Sequence, residues 1–228
     1  MHIRELKDLP WKLCWSLIPE RYYMEKQGID SKDFYKIKEK YQGSKSKIKG
    51  LKYLRFNVRF RGRLRYAMKL GLNNSAPKKI LDIGTGVGYF PYICNRYGHD
   101  GHAMDLGDFP VFNELIQLLD VDRMDYCVKP LEQLPAVVGK YDLITAFLIC
   151  FNNHNQNDLW EVKEWDYFLK DLAKNQLNPK GKVFFHFNYE KKTGKPFDIK
   201  IADFFLKHGA TIHKNEVTFE SMNSFRSS

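Results

Sequence analysis

From residue 78 onward, short apolar runs alternate with stretches whose apolar residues recur every three or four positions. Residues 78–84 (KKILDIG) form an apolar run stopped by glycine, which predicts a buried strand. Residues 87–98 (VGYFPYICNRYG) predict a helix ended by Gly98. A second strand is expected at 101–106 (GHAMDL), a helix at 111–120 (VFNELIQLLD) and a third strand at 124–130 (MDYCVKP), broken by Pro130. Residues 141–151 (YDLITAFLICF) are apolar on both faces and predict a fourth strand. Between Asn157 and Leu177 the apolar and aromatic residues fall near helical period; 177–188 (LNPKGKVFFHFN) then predict a turn and a fifth strand. Residues 199–209 predict a helix ended by Gly209, and 210–225 supply one or two closing strands.

Strands alternating with helices of about a dozen residues predict an α/β fold, doubly wound, with a mostly parallel Rossmann-like sheet. Such sheets take ligands beyond the C-terminal ends of their strands, near the point where strand order reverses. Residues 1–79 read differently. Asp8 and Pro10 suit a helix start. Leu51, Leu54, Val58, Leu64 and Met68 suggest helices with an apolar stripe, so a helical N-terminal extension (1–79) is expected before the ligand-binding domain (80–228).

Charge sharpens that division. The 228-residue chain carries a net charge of +10. Residues 1–79 hold 21 Lys and Arg against 7 Asp and Glu, while the remainder is slightly acidic. Cys14, Cys94, Cys127 and Cys150 form no CxxC pair, which points to reduced thiols and no metal site. No run approaches the length of a membrane span, and the first residues lack signal-peptide features, leaving the cytoplasm as the expected location.

Residues 80–90 read ILDIGTGVGYF. Gly84, Gly86 and Gly88 allow positive φ and close approach to the backbone, and the helix they open favours an anion. The third glycine comes one residue too early for a dinucleotide fingerprint, and no Lys-Ser/Thr follows as in a phosphate loop. Asp82 adds a negative charge, so a ligand bearing both carboxylate and ammonium suits the spot. Asp105, at the end of the second strand, can accept from two ribose hydroxyls. An amino-acid end joined to a ribose describes S-adenosyl-L-methionine.

The series ILDIGTGVGYF, MDL, PLEQLP, KYDLITAF and LNPKGKVFF resembles a class I S-adenosylmethionine-dependent methyltransferase over residues 78–210. The resemblance implies that Gly84, Thr85 and Gly86 line the methionine moiety and that Asp105 binds the ribose. It also implies that Pro130, Leu131 and Glu132 flank the adenine, and that Ala146 and Phe147 face the methyl group. Asp82, Gly88, Tyr89 and Leu106 join the expected cofactor-binding set. Pro130 stands where family members often carry an acid for the adenine amino group. Thr145–Leu148 (TAFL) replaces the Asn/Asp-Pro-Pro-Tyr/Phe of enzymes that methylate exocyclic amines, which favours oxygen as acceptor.

His154 and His186 are the candidates for a general base, with a surface loop and a packed strand position as their respective alternatives. Residues 45–69 (KSKIKGLKYLRFNVRFRGRLRYAMK) contain ten Lys or Arg, no acid and four interleaved aromatics. They fit a small or phosphate-bearing anionic acceptor, nucleic acid such as RNA, or a solvated helix face. The leading expectation is a methyltransferase for a small or anionic acceptor. The alternative is a nucleic-acid methyltransferase or binding module that uses the basic arm, and a nicotinamide enzyme is disfavoured by Tyr89.

Overall fold

The apolar runs assemble into one seven-stranded sheet of order β3-β2-β1-β4-β5-β7-β6. The structure is a computed structural model that describes residues 18–42, 51–136, 140–149, 159–190 and 193–226. Its strands are β1 (Lys79–Ile83), β2 (Asp100–Asp105), β3 (Arg123–Asp125), β4 (Tyr141–Ile149), β5 (Leu177–Phe187), β6 (Thr211–His213) and β7 (Glu216–Phe219). The pairs β1–β2, β2–β3, β1–β4 and β4–β5 are parallel, and β7 runs antiparallel to both β5 and β6. This is the doubly wound, mostly parallel Rossmann-like sheet that the alternation predicts.

The described helices are α1 (Glu20–Lys26), α2 (Ser31–Gln42), α3 (Phe56–Lys69), α4 (Tyr89–Arg96), α5 (Pro110–Leu118), α6 (Val162–Asp171), α7 (Ile199–Lys207) and α8 (Asn223–Arg226). Period-two alternation in β4 explains how they divide. Leu143 and Phe147 face one core, shared with α1 to α5; Ile144 and Ala146 face the other, shared with α6 to α8. Residues 18–42 and 51–74 therefore belong to the core of the sheet rather than standing apart from it.

Three local readings change. The stripe through Val58 and Met68 is not the buried one, since both are about half exposed. Leu51–Leu54 is a single 3₁₀ turn, and α3 starts afresh at Phe56, so its core face is Phe56, Phe60, Leu64 and Ala67. The third strand is shorter than its apolar run and lies earlier, at Arg123–Asp125. The turn predicted at 178–181 lies inside β5, whose pairing jumps from Tyr141↔Leu177 to Leu143↔Lys182. A Cβ on Gly181 would sit 2.8–3.0 Å from Leu177, Asn178 and Tyr141, which explains the glycine in that bulge. The segments holding Pro10 and the lysines at 45–49 lie outside the described residues.

Candidate functional site

β1 and β4 lie side by side at the centre, with the sheet growing outward on both sides, so the end of β1 is the switch point. The chain leaves it through Gly84, Gly86 and Gly88 at φ +69°, +66° and +78°. Side chains rarely adopt that region, which accounts for glycine at every second position. Gly88 caps α4, and a Cβ there would lie 2.6 Å from Ile116 Cδ1. Gly86 is covered by the Tyr53 ring, 3.4 Å from where its Cβ would be.

Asp105 ties the loop to β2. Its Oδ2 accepts from Gly86 N at 2.5 Å and its Oδ1 from Leu106 N at 2.7 Å. Burial pushes its carboxyl above the usual range, and the two N–H donors pull it back. Each oxygen keeps a further lone pair for another donor.

Asp105 and the loop glycines open onto a cavity of about 250 Å³. Gly84, Gly86, Asp105 and Leu106 line one side. Tyr126, Cys127 and Val128, just after β3, line another. Tyr53 and Phe112 close over it edge to face, with ring centroids 5.1 Å apart. Leu148 enters from the end of β4 at φ +54°, where the pairing with β5 slips between Phe147 and Ile149. A left-handed leucine in a bulge is a strained conformation placed at the cavity.

Other expected residues lie around this cavity rather than on it. Asp82 is sealed at 1% exposure and accepts from Thr145 Oγ1 at 2.8 Å. Desolvation pushes its carboxyl up to about 6, with Arg63 pulling the other way. Thr85 is buried in the loop. Tyr89 is buried, and its hydroxyl donates to Tyr53 O at 3.1 Å, anchoring the segment that covers Gly86. Ala146 packs in the core of the far face. Phe147 packs on the near face against Phe90, Tyr66 and Phe184. Leu131 stands at φ +57° in an exposed turn, away from the cavity, and Glu132 pairs with Lys129 on the surface.

His186, on β5, pairs with Phe147 of β4 and does not line the cavity. Its ring nitrogens are 3.0 and 3.2 Å from the Tyr66 hydroxyl. Burial pushes its pKa down, while nearby Glu216 works against that shift. Glu216 lies opposite His186 across the β5–β7 pair and forms a salt bridge with Lys69 of α3. A neutral imidazole bonded to a hydroxyl can accept or relay a proton. His154 falls outside the described residues.

The sequence reading did not single out Tyr53, Phe112, Cys127, Val128 or Leu148 as cavity residues. Tyr126–Val128 carried the nearest signal, since residues just past a strand end are where such sheets bind ligands.

No protein-family model matches the chain, and no curated protein matches it. Solved structures do. A ribosomal protein methylase from Lactobacillus delbrueckii subsp. bulgaricus superposes over 69% of this chain and 76% of its own, at 20% identity and TM-score 0.44. A TehB-like SAM-dependent methyltransferase from Corynebacterium glutamicum does so over 71% and 96%, at 17% identity and TM-score 0.44.

Proposed function

We propose that this chain is an S-adenosylmethionine-dependent methyltransferase acting on a small or phosphate-bearing acceptor, at oxygen. The observation that carries the reading is the cavity at the switch point, where the left-handed glycine loop and Asp105 meet. A nucleoside with an amino-acid tail matches that pairing. Free carboxylate lone pairs on Asp105 suit two ribose hydroxyls, and the apolar wall of Tyr126 to Val128 suits a flat base. The glycine loop would hold the amino-acid end, with Tyr53 lying over it.

When bound, the cofactor supplies a methyl group already activated on a sulfonium. The chain's own residues then have to exclude water and align an acceptor, and alignment alone can supply roughly 7–11 kcal/mol of a barrier. Phe112, Tyr53 and Leu148 give the cavity its apolar cover. His186, steadied by Tyr66, is the described group suited to take a proton from a hydroxyl acceptor.

Calorimetric titration with S-adenosyl-L-homocysteine tests the reading. Saturable binding with a raised melting temperature is expected, worth about 2.7 kcal/mol at a hundredfold excess over Kd. No heat and no thermal shift would remove the cofactor assignment.

The nucleic-acid reading keeps its charges but loses aromatic support. Phe56 and Phe60 are fully buried, leaving only Tyr53 and Tyr66 partly accessible among the four interleaved rings.

A further inference from the structure

Helix α3 presents a second stripe beside its buried one. Arg59, Arg63 and Tyr66 follow at spacings of four and three, so they share a face one step round from Phe56, Phe60 and Leu64. Each makes a defined contact. Arg59 lies 5.5 Å from the centre of the Tyr53 ring and donates from Nε to Lys52 O at 3.3 Å. The Arg63 guanidinium lies 4.6 Å from the centre of the Phe147 ring. Tyr66 packs on Phe147 and His186. The stripe thus runs from the cover of the cavity to the β4–β5 ends beside it.

Arg63 is the unusual member. It is partly buried, yet its guanidinium makes no hydrogen bond or salt bridge with any described residue. Its nitrogens are not among the buried polar atoms left without a partner, so they keep contact with solvent and its donor fork stays open to an incoming oxygen acceptor. Asp82 supplies a negative field behind it, but at no bonded distance, and the Asp82 carboxyl is already engaged by Thr145. The guanidinium lies over the Phe147 ring, a contact that uses none of its N–H donors. An arginine held over Phe147, one residue before Leu148 of the cavity wall, with its donor fork unused, describes a receptor for an oxyanion.

We infer that Arg63 receives a carboxylate or phosphate carried by a ligand at this site, an anion that comes either from the amino-acid end of the cofactor or from the methyl acceptor. The inference rests on the proposed cofactor reading for the first source only.

The test compares wild type with Arg63→Met, which keeps the stem but loses charge and donors, and with Arg63→Lys, which keeps charge but not the fork. The probes are S-adenosyl-L-homocysteine, 5′-methylthioadenosine (which lacks the carboxylate) and inorganic phosphate added to protein saturated with S-adenosyl-L-homocysteine. Titration calorimetry and arginine side-chain NMR give the readouts. If the cofactor brings the anion, Arg63→Met weakens S-adenosyl-L-homocysteine about tenfold or more and leaves methylthioadenosine unchanged. If the acceptor brings it, both nucleosides bind normally, and phosphate binding to the saturated wild type disappears in Arg63→Met. Normal binding of all three probes by Arg63→Met, or of the nucleosides with no phosphate site in wild type, overturns the inference. Failure of both nucleosides to bind wild type sinks the cofactor reading instead. Arg63 is then judged on phosphate alone, whose loss in the variant supports it and whose persistence refutes it. Should Arg63→Met fail to fold, Arg63→Lys decides by the same comparisons with a smaller expected loss.

Discussion

At the scale of single residues, two carboxylates of β1 and β2 stand in opposite situations. Asp105 sits at the cavity with unused lone pairs, so it is expected to bind. Asp105→Asn keeps a carbonyl for one backbone N–H but removes the charge. Its affinity for S-adenosyl-L-homocysteine should fall roughly 10- to 100-fold by calorimetry, the range for a lost charged hydrogen bond. Asp82 is sealed and charged at a cost. Its carboxyl stands near 6 when folded, against about 3.9 in an unfolded chain. The folded state therefore binds the proton more tightly, and the stability this contributes is present at acid pH and fades as pH rises from about 4 through 6. Asp82→Asn removes the penalty while retaining an acceptor for Thr145. Urea melts should show the variant gaining about 1–3 kcal/mol on wild type between pH 4 and pH 7. A constant difference across that range would mean that the Asp82 carboxyl does not titrate as burial requires. Gly101 poses a steric question instead. A Cβ there would lie 2.7 Å from Pro91 O and 2.8 Å from Asn95 Oδ1, both fixed in α4. Gly101→Ala should cost about 1–3 kcal/mol in the same melts.

At the scale of elements, α3 shows what a sequence discloses and what it hides. The core strands and the helices between them were legible because each apolar run is bounded by its own glycine or charged residues, and the signal is local. The glycine loop and Asp105 were legible for the same reason, both lying within a few residues of a strand end. The phase of α3 was not. Reading Leu51, Leu54 and Val58 as one stripe assumes an unbroken helix, but the backbone breaks at Arg55 and restarts, which turns Val58 outward and Phe60 inward. The cavity cover escaped for another reason. Tyr53, Phe112 and Leu148 come from three segments far apart in sequence, and only the tertiary fold brings them together. The corrected phase has a measurable consequence. Phe60 stacks on Phe56 at 4.8 Å and meets Tyr89 and Tyr92 of α4. Phe60→Ala should destabilise by about 3–5 kcal/mol, while Val58→Ala, two residues away, should stay within about 0.5 kcal/mol. Equal effects would return the helix to the unbroken stripe.

At the scale of the whole molecule, the charge asymmetry suggests an appendage, whereas the packing makes the N-terminal helices a wall of the protein. The tyrosines of α4 show why. Tyr89 is buried with its hydroxyl on Tyr53 O, and the Tyr92 hydroxyl donates to Gln27 O at 2.6 Å. Tyr41 of α2 and Lys40 both reach Glu114 on α5 at 2.6 Å. The face of α4 and α5 that points away from the sheet is thus fitted to the N-terminal helices at several separate points. A chain starting at residue 76 would leave Tyr89, Phe90 and Ile93 with much of their cover missing. Exposed apolar surface on that scale drives association. Residues 76–228 expressed alone should therefore aggregate or bind the dye ANS strongly, and should lose affinity for S-adenosyl-L-homocysteine because Tyr53 no longer covers Gly86. A monodisperse fragment that melts cooperatively and binds the nucleoside as tightly as the full chain would show that the basic segment is separable after all. It would also leave Arg63 no part in holding the cofactor.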